Sequence, residues 1–129
     1  MKYAATFCSL MILVFCGCSK PAHLPAEISQ QLSTADCVFI ATNRFHASGS
    51  TITGKEVSRL ANAVASARLD RLPAAAIFDW DVEFYAGTNF LTVIHLQGRV
   101  FMLGDKQYID DTGVLTTFWQ KLVAEDKAR

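Results

Sequence analysis

The sequence predicts an α+β domain: a single sheet with helices packed on one face, in the order strand, helix, three-stranded antiparallel meander, helix. Three observations predict it. From Ile77 to Leu103 apolar and polar residues alternate with period two, broken at Gly87-Thr88 and Gln97-Gly98. Ahead of that stretch Val57, Leu60, Ala61 and Val64 recur at helical spacing, and behind it so do Val114, Leu115, Phe118, Trp119, Leu122 and Val123. The chain has 129 residues, enough for one core and too few for two.

The elements follow in order. Cys37 to Thr42 is apolar and reads as a first strand, and the polar stretch Asn43 to Thr51 after it reads as a loop around Ser48-Gly49-Ser50. Thr53-Gly54-Lys55-Glu56 fits a capping box, with the Thr53 hydroxyl accepting from the Glu56 amide, and Leu72-Pro73 ends the helix that starts there. Two-residue turns in the meander set Phe84 opposite Leu91, Val82 opposite Val93 and Trp80 opposite His95. His95 then falls opposite Val100, and Val93 opposite Met102. One face is therefore Phe78, Trp80, Val82, Phe84, Leu91, Val93, Val100 and Met102, and it is the expected core face because the reverse carries Asp79, Asp81 and Glu83. Gly104-Asp105-Lys106 makes a further turn, Gln107 to Ile109 a stub of strand, and Asp110, Asp111 and Thr112 offer caps for a last helix from about Gly113 to Glu125. Periodicity leaves open which edge of the meander the first strand joins.

The N-terminus carries an address. Lys2 supplies a positive charge, Ala4 to Phe15 is an apolar run of signal-peptide length, and Gly17 stands before Cys18, with Ser19, Lys20 and Pro21 following. The run is shorter than the roughly 20 apolar residues a spanning helix needs. The stretch resembles a bacterial lipoprotein signal peptide closing on a lipobox. That resemblance implies diacylglycerol on the Cys18 thiol, cleavage before it and acylation of the new amino terminus. Cys16 is the rival position, but bulky Phe15 precedes it where the class has a small residue. Several acyl chains anchor a protein stably, and Ser19, where an Asp would favour inner-membrane retention, points to an outer membrane. The expected divisions are a signal peptide over 1–17, a lipidated cysteine and flexible tether over 18–35, and a single α+β domain over 36–129. The tether would reach on the order of 50 Å when extended, and less where Ala26 to Leu32 forms a short helix.

Composition narrows the function. Lys and Arg number 12, as do Asp and Glu, and loss of Lys2 with the signal leaves 11 against 12. That balance, with no basic stripe, argues against nucleic acid as a partner. Of the four cysteines, Cys8 and Cys16 leave with the signal and Cys18 is acylated, so Cys37 has no intramolecular partner. His23, His46 and His95 are scattered, no metal-ligand pair or P-loop is present, and no cofactor is expected. Asp79, Asp81 and Glu83 alternate on a strand as solvated carboxylates do, without the apolar pocket that would raise one of them for glycoside chemistry.

The reverse face of the meander is the expected interaction face, because Tyr85, Phe90, Ile94 and Phe101 stand on it beside Asp81 and Glu83. The first functional reading is a lipid-anchored domain of the bacterial cell envelope, non-enzymatic, acting by contact with an envelope protein or a second copy. An alternative is a small module for a cell-wall fragment, with Tyr85 and Phe90 stacking on a sugar while Asp81 and Glu83 accept its hydroxyls. A hydrolase is disfavoured by the missing nucleophile, base and metal set.

Overall fold

A computed structural model describes residues 23–42, 49–71 and 78–128. Its strands are β1 (Cys37–Thr42), β2 (Ser50–Thr53), β3 (Arg68–Leu69), β4 (Trp80–Ala86), β5 (Asn89–Gln97), β6 (Val100–Leu103) and β7 (Lys106–Ile109), and its helices α1 (Ala26–Ser33), α2 (Lys55–Ala65) and α3 (Val114–Lys127). The seven strands form one antiparallel sheet in the order β2-β1-β4-β5-β6-β7-β3. β1 joins the β4 edge of the meander, pairing Val38 with Phe84 and Ile40 with Val82. The α+β class stands. The observed order differs from the expected one by the added β2 and β3 and by β7, a full strand where a stub was read, while α1 covers the stretch Ala26 to Leu32 that the sequence offers as a short helix.

All three helices share one core cluster with one side of the sheet. Leu32 of α1, Val57, Leu60 and Val64 of α2, and Leu115, Phe118 and Leu122 of α3 pack with Val38, Ile40, Val82, Phe84, Ile94, Leu96, Phe101 and Tyr108. Each large apolar side chain so buried contributes about 1.5–3 kcal/mol. The periodic faces of α2 and α3 are thus the ones that point inward.

The tether boundary is corrected. Leu24 and Leu32 are core residues and α1 packs on α2, so residues 24–35 belong to the folded domain. Leu24, Ile28 and Leu32 are spaced four apart, the stripe that docks this segment. Residues 1–22, where the signal peptide and lipobox are expected, lie outside the described residues, as do 43–48, 72–77 and 129.

Both ends of α2 are also corrected. Thr53 is held in the β-ladder opposite Cys37, so Gly54, not Thr53, occupies the cap position, and no side chain caps the helix. Gly54 has φ of 85°, which glycine adopts without a Cβ clash. The helix stops at Ala65, before buried Ala67 and the short strand β3, rather than at Leu72-Pro73. At α3 Gly113 holds the cap position, in the left-handed region, and Asp110, three residues before it, supplies the acceptors for the helix start. The buried Asp110 carboxylate accepts from the Leu115 amide at 3.0 Å, the Thr112 amide at 3.0 Å and the Thr112 hydroxyl at 2.6 Å. A carboxylate there satisfies orphan donors and faces the positive end of the helix dipole.

The largest correction concerns register. Near the turn the ladder runs as read, Ala86 with Asn89 and Tyr85 with Phe90, but a bulge follows: Phe84 pairs with Thr92, Val82 with Ile94 and Trp80 with Leu96. Leu91 is the extra residue, and a slip of one position exchanges the two sides of everything beyond it. The second turn is Gly98-Arg99, which sets Leu96 against Phe101 and His95 against Met102. Val93, Val100 and Met102, expected in the core, are half-buried on the outer face. Ile94, Leu96 and Phe101, expected outside, are each 0% exposed in the core.

Candidate interaction face

The outer face is built by the residues that alternate with the core. β1 contributes Phe39 and Ala41, opposite Glu83 and Asp81 of β4; β5 contributes Val93 and His95, opposite the same two residues; β6 adds Val100 and Met102. All of them are half-buried. Gly49 lies against the Phe39 ring, and a Cβ on it would have to displace the tip of that ring.

Of the six expected face residues, the structure keeps Asp81, Glu83, Tyr85 and Phe90 outside and moves Ile94 and Phe101 into the core. The four form two local groups. In the first, Asp81 pairs with Nδ1 of His95, whose side chain is 39% exposed against 20% for the carboxylate. His95 therefore stands opposite Asp81, not Trp80, and lies outside the core. In the second, the Tyr85 hydroxyl donates to Glu83 Oε1 at 2.6 Å, and the Tyr85 ring meets Phe90 edge to face, with centroids 5.7 Å apart and planes at 74°. The Glu83 carboxylate beside the hydroxyl pushes the Tyr85 pKa up, chiefly through that hydrogen bond. Phe90 is 55% exposed, the exposed large apolar side chain among the described residues.

His95 beside Asp81 is the feature that sequence reasoning misplaced. An imidazole oriented by a carboxylate is two-thirds of a nucleophilic triad. Its neighbours across the strands and along β5 on this face are Asp81, Met102, Val93 and Gln97, none of which supplies a hydroxyl or thiol. The legible signal was polarity: His95 and Gln97 suit a face that carries Asp81 and Glu83 better than one that carries Trp80 and Val82.

Elsewhere the polar groups knit the β3 end of the sheet. Arg68 donates Nε to Asp111 Oδ2 at 2.6 Å and a second guanidinium nitrogen to Oδ1 at 3.2 Å. This two-bonded exposed pair holds the Asp111 carboxyl below its usual range and the guanidinium above its own. Gln107 Nε2 donates to Asp70 Oδ2 at 2.8 Å, and the Asp70 amide to the Gln107 carbonyl at 2.9 Å. A depression of about 270 Å³ lies beside them, lined by Leu69, Asp70, Arg71, Met102, Asp105, Lys106 and Gln107. Another of about 240 Å³ lies between α2 and the start of α3, lined by Arg59, Asn62, Ser66 and Thr112 among others. Both fall below the roughly 300–1,000 Å³ of small-molecule sites. Among the described residues no three His, Cys, Asp or Glu side chains converge as metal ligands, and no helix is long and apolar enough to cross a membrane. Cys37 is half-buried opposite Tyr85 and forms no disulfide.

No match to this chain is found among protein-family models, curated proteins or solved structures.

Proposed function

We propose that this chain is a lipid-anchored domain of the bacterial cell envelope, held on a membrane through Cys18, that acts by protein contact rather than by catalysis. The address rests on the run from Ala4 to Phe15 and the Gly17-Cys18 junction, with Ser19 favouring an outer membrane. The contact role rests on one observation: the outer face is a half-buried sheet surface whose carboxylates are already engaged and whose exposed aromatic stands at one corner. Glu83 holds the Tyr85 hydroxyl and Asp81 holds His95.

The cell-wall-fragment reading loses ground on the same geometry. With their rings at 74°, Tyr85 and Phe90 cannot both lie flat on one sugar. The contact face is accordingly reduced to Tyr85, Phe90, Asp81 and Glu83 with Phe39, Val93 and His95 beside them.

Two measurements test the proposal. Expression in a bacterial host with labelled palmitate should give a labelled, membrane-bound product that Cys18→Ser abolishes; an unlabelled product with an intact leader would remove the address. Crosslinking in native membranes should give an adduct with an envelope protein or a second copy that the double variant Tyr85→Ser, Phe90→Ser loses while remaining folded. An unchanged adduct would take the face out of the reading.

A further inference from the structure

His23 is bound to the last strand of the sheet. It forms an antiparallel bridge to Arg68, its Nδ1 lies 3.1 Å from the Ala67 carbonyl oxygen, and Leu24 next to it is 6% exposed in the core. From His23 onward the chain therefore belongs to the fold. What separates His23 from Cys18 is five residue steps, which span about 18 Å at most when fully extended. β3 stands at one end of the sheet and β2 at the other, six strand spacings apart, or about 28 Å. The anchor is thus shorter than the sheet is wide.

We infer that the β3 corner of the domain rests against the lipid headgroups of the membrane that holds the anchor, with the β2 edge kept away from them. The inference rests on the acylation of Cys18 proposed above. Acyl chains fix Cys18 at the headgroups, and the leash sets how high His23 can rise above it. Were the β2 edge to stand on the bilayer, His23 would be lifted by about the width of the sheet, about 28 Å, further than a leash of about 18 Å allows. The bridge also selects one end of β3. Because it is antiparallel, the chain reaches His23 from the side towards which Arg68 runs on to Arg71. At that end Leu69, Asp70, Arg71, Asp105 and Lys106 surround the depression of about 270 Å³. Charge does not set this orientation: Arg71 and Lys106 are matched at the same corner by Asp70 and Asp105, and Arg68 by Asp111, so an anionic leaflet neither draws the corner in nor repels it. The leash alone orients the domain. With β3 down and β2 up, the outer face is turned sideways, along the membrane surface.

The test reads the height of single labels above the bilayer. The full chain is produced lipidated in a bacterial host and reconstituted in phosphatidylcholine vesicles whose headgroups carry a nitroxide quencher. Cys37→Ser is the background, since Cys8 and Cys16 leave with the signal and the Cys18 thiol is acylated. A fluorophore on Arg71→Cys should lose most of its emission, and one on Thr51→Cys should keep it; both positions are exposed. Lys106→Cys and Thr53→Cys, also exposed, repeat the comparison in variants whose circular dichroism matches the wild type. Phosphatidylglycerol added to the vesicles should leave the difference unchanged. A Gly-Ser spacer of about 20 residues inserted after Lys20, with a random-coil reach of about 25 Å, should abolish the difference while the protein stays on the membrane. In acylated protein, equal quenching at the two edges or stronger quenching at residue 51 would overturn the orientation and leave the address standing. A difference that survives the spacer would overturn the leash as its cause, and a product without acyl chains would overturn orientation and address together.

Discussion

The two sides of the sheet are made by the same strands, yet one is dry and the other mixed. On the helix side Phe84, Ile94, Leu96 and Phe101 are each 0% exposed. Their immediate chain neighbours on the outer side, Glu83, Val93, His95 and Met102, are all half-buried. On β5 and β6 a single bulge decides which residues face which side, turning Ile94, Leu96 and Phe101 inward and Val93, His95 and Met102 outward. A fold can therefore keep every strand a reader expects and still exchange its core for its surface.

Neighbours in β6 give the sharpest way to break that comparison. Phe101→Ala should cost about 3–5 kcal/mol, the range for emptying an aromatic site in a packed core, whereas Met102→Ala should cost about 1 kcal/mol or less. Chemical denaturation of both variants measures the difference. Equal costs, or the reverse order, would restore the register without the bulge.

How much of this was legible follows from which residues carried a one-sided signal. From Asp79 to Phe84 acidic and apolar residues alternate strictly, so Trp80, Val82 and Phe84 were readable as core. On α2 Val57, Leu60, Ala61 and Val64 were readable because Lys55, Arg59 and Asn62 mark the other side. β5 is different: Leu91 and Val93 compete with Phe90, Ile94 and Leu96, and hydrophobicity alone cannot choose between two apolar sides. β2 and β3 were missed because four and two residues are too few to show a period. At the candidate face, Tyr85, Phe90, Asp81 and Glu83 were placed correctly because they lie on β4 or on the turn side of the bulge; Ile94 and Phe101 lie beyond it.

The helix side has a second point of attack, at its N-terminal border. Pro21 and Pro25 made residues 18–35 look like a tether, and the three-member stripe Leu24, Ile28, Leu32 was too sparse to outweigh them. With Leu32 1% exposed beneath α1, Leu32→Ala should cost about 2–4 kcal/mol. The same substitution at an exposed tether position would be nearly silent. A midpoint of thermal unfolding that does not fall would return this segment to the tether.

The smallest effect separates the two sides by the reason a tyrosine resists ionisation. Tyr108 faces the core at 2% exposure, and burial pushes its hydroxyl up; Tyr85 faces outward, and the accepting carboxylate of Glu83 does so. For both, the folded pKa lies above the unfolded value near 10, so any stability they contribute is fully present below that value and is lost as pH rises through the folded one. Glu83→Gln removes the charge from one partner only. In an alkaline titration followed by tyrosinate absorbance, it should move the Tyr85 transition down towards the ordinary value and leave that of Tyr108 in place, with Tyr85→Phe identifying which transition is which. A shift of both together would mean that the outer face is coupled to the core through the sheet, and a shift of neither would mean that Tyr85 is not bonded to Glu83 in solution.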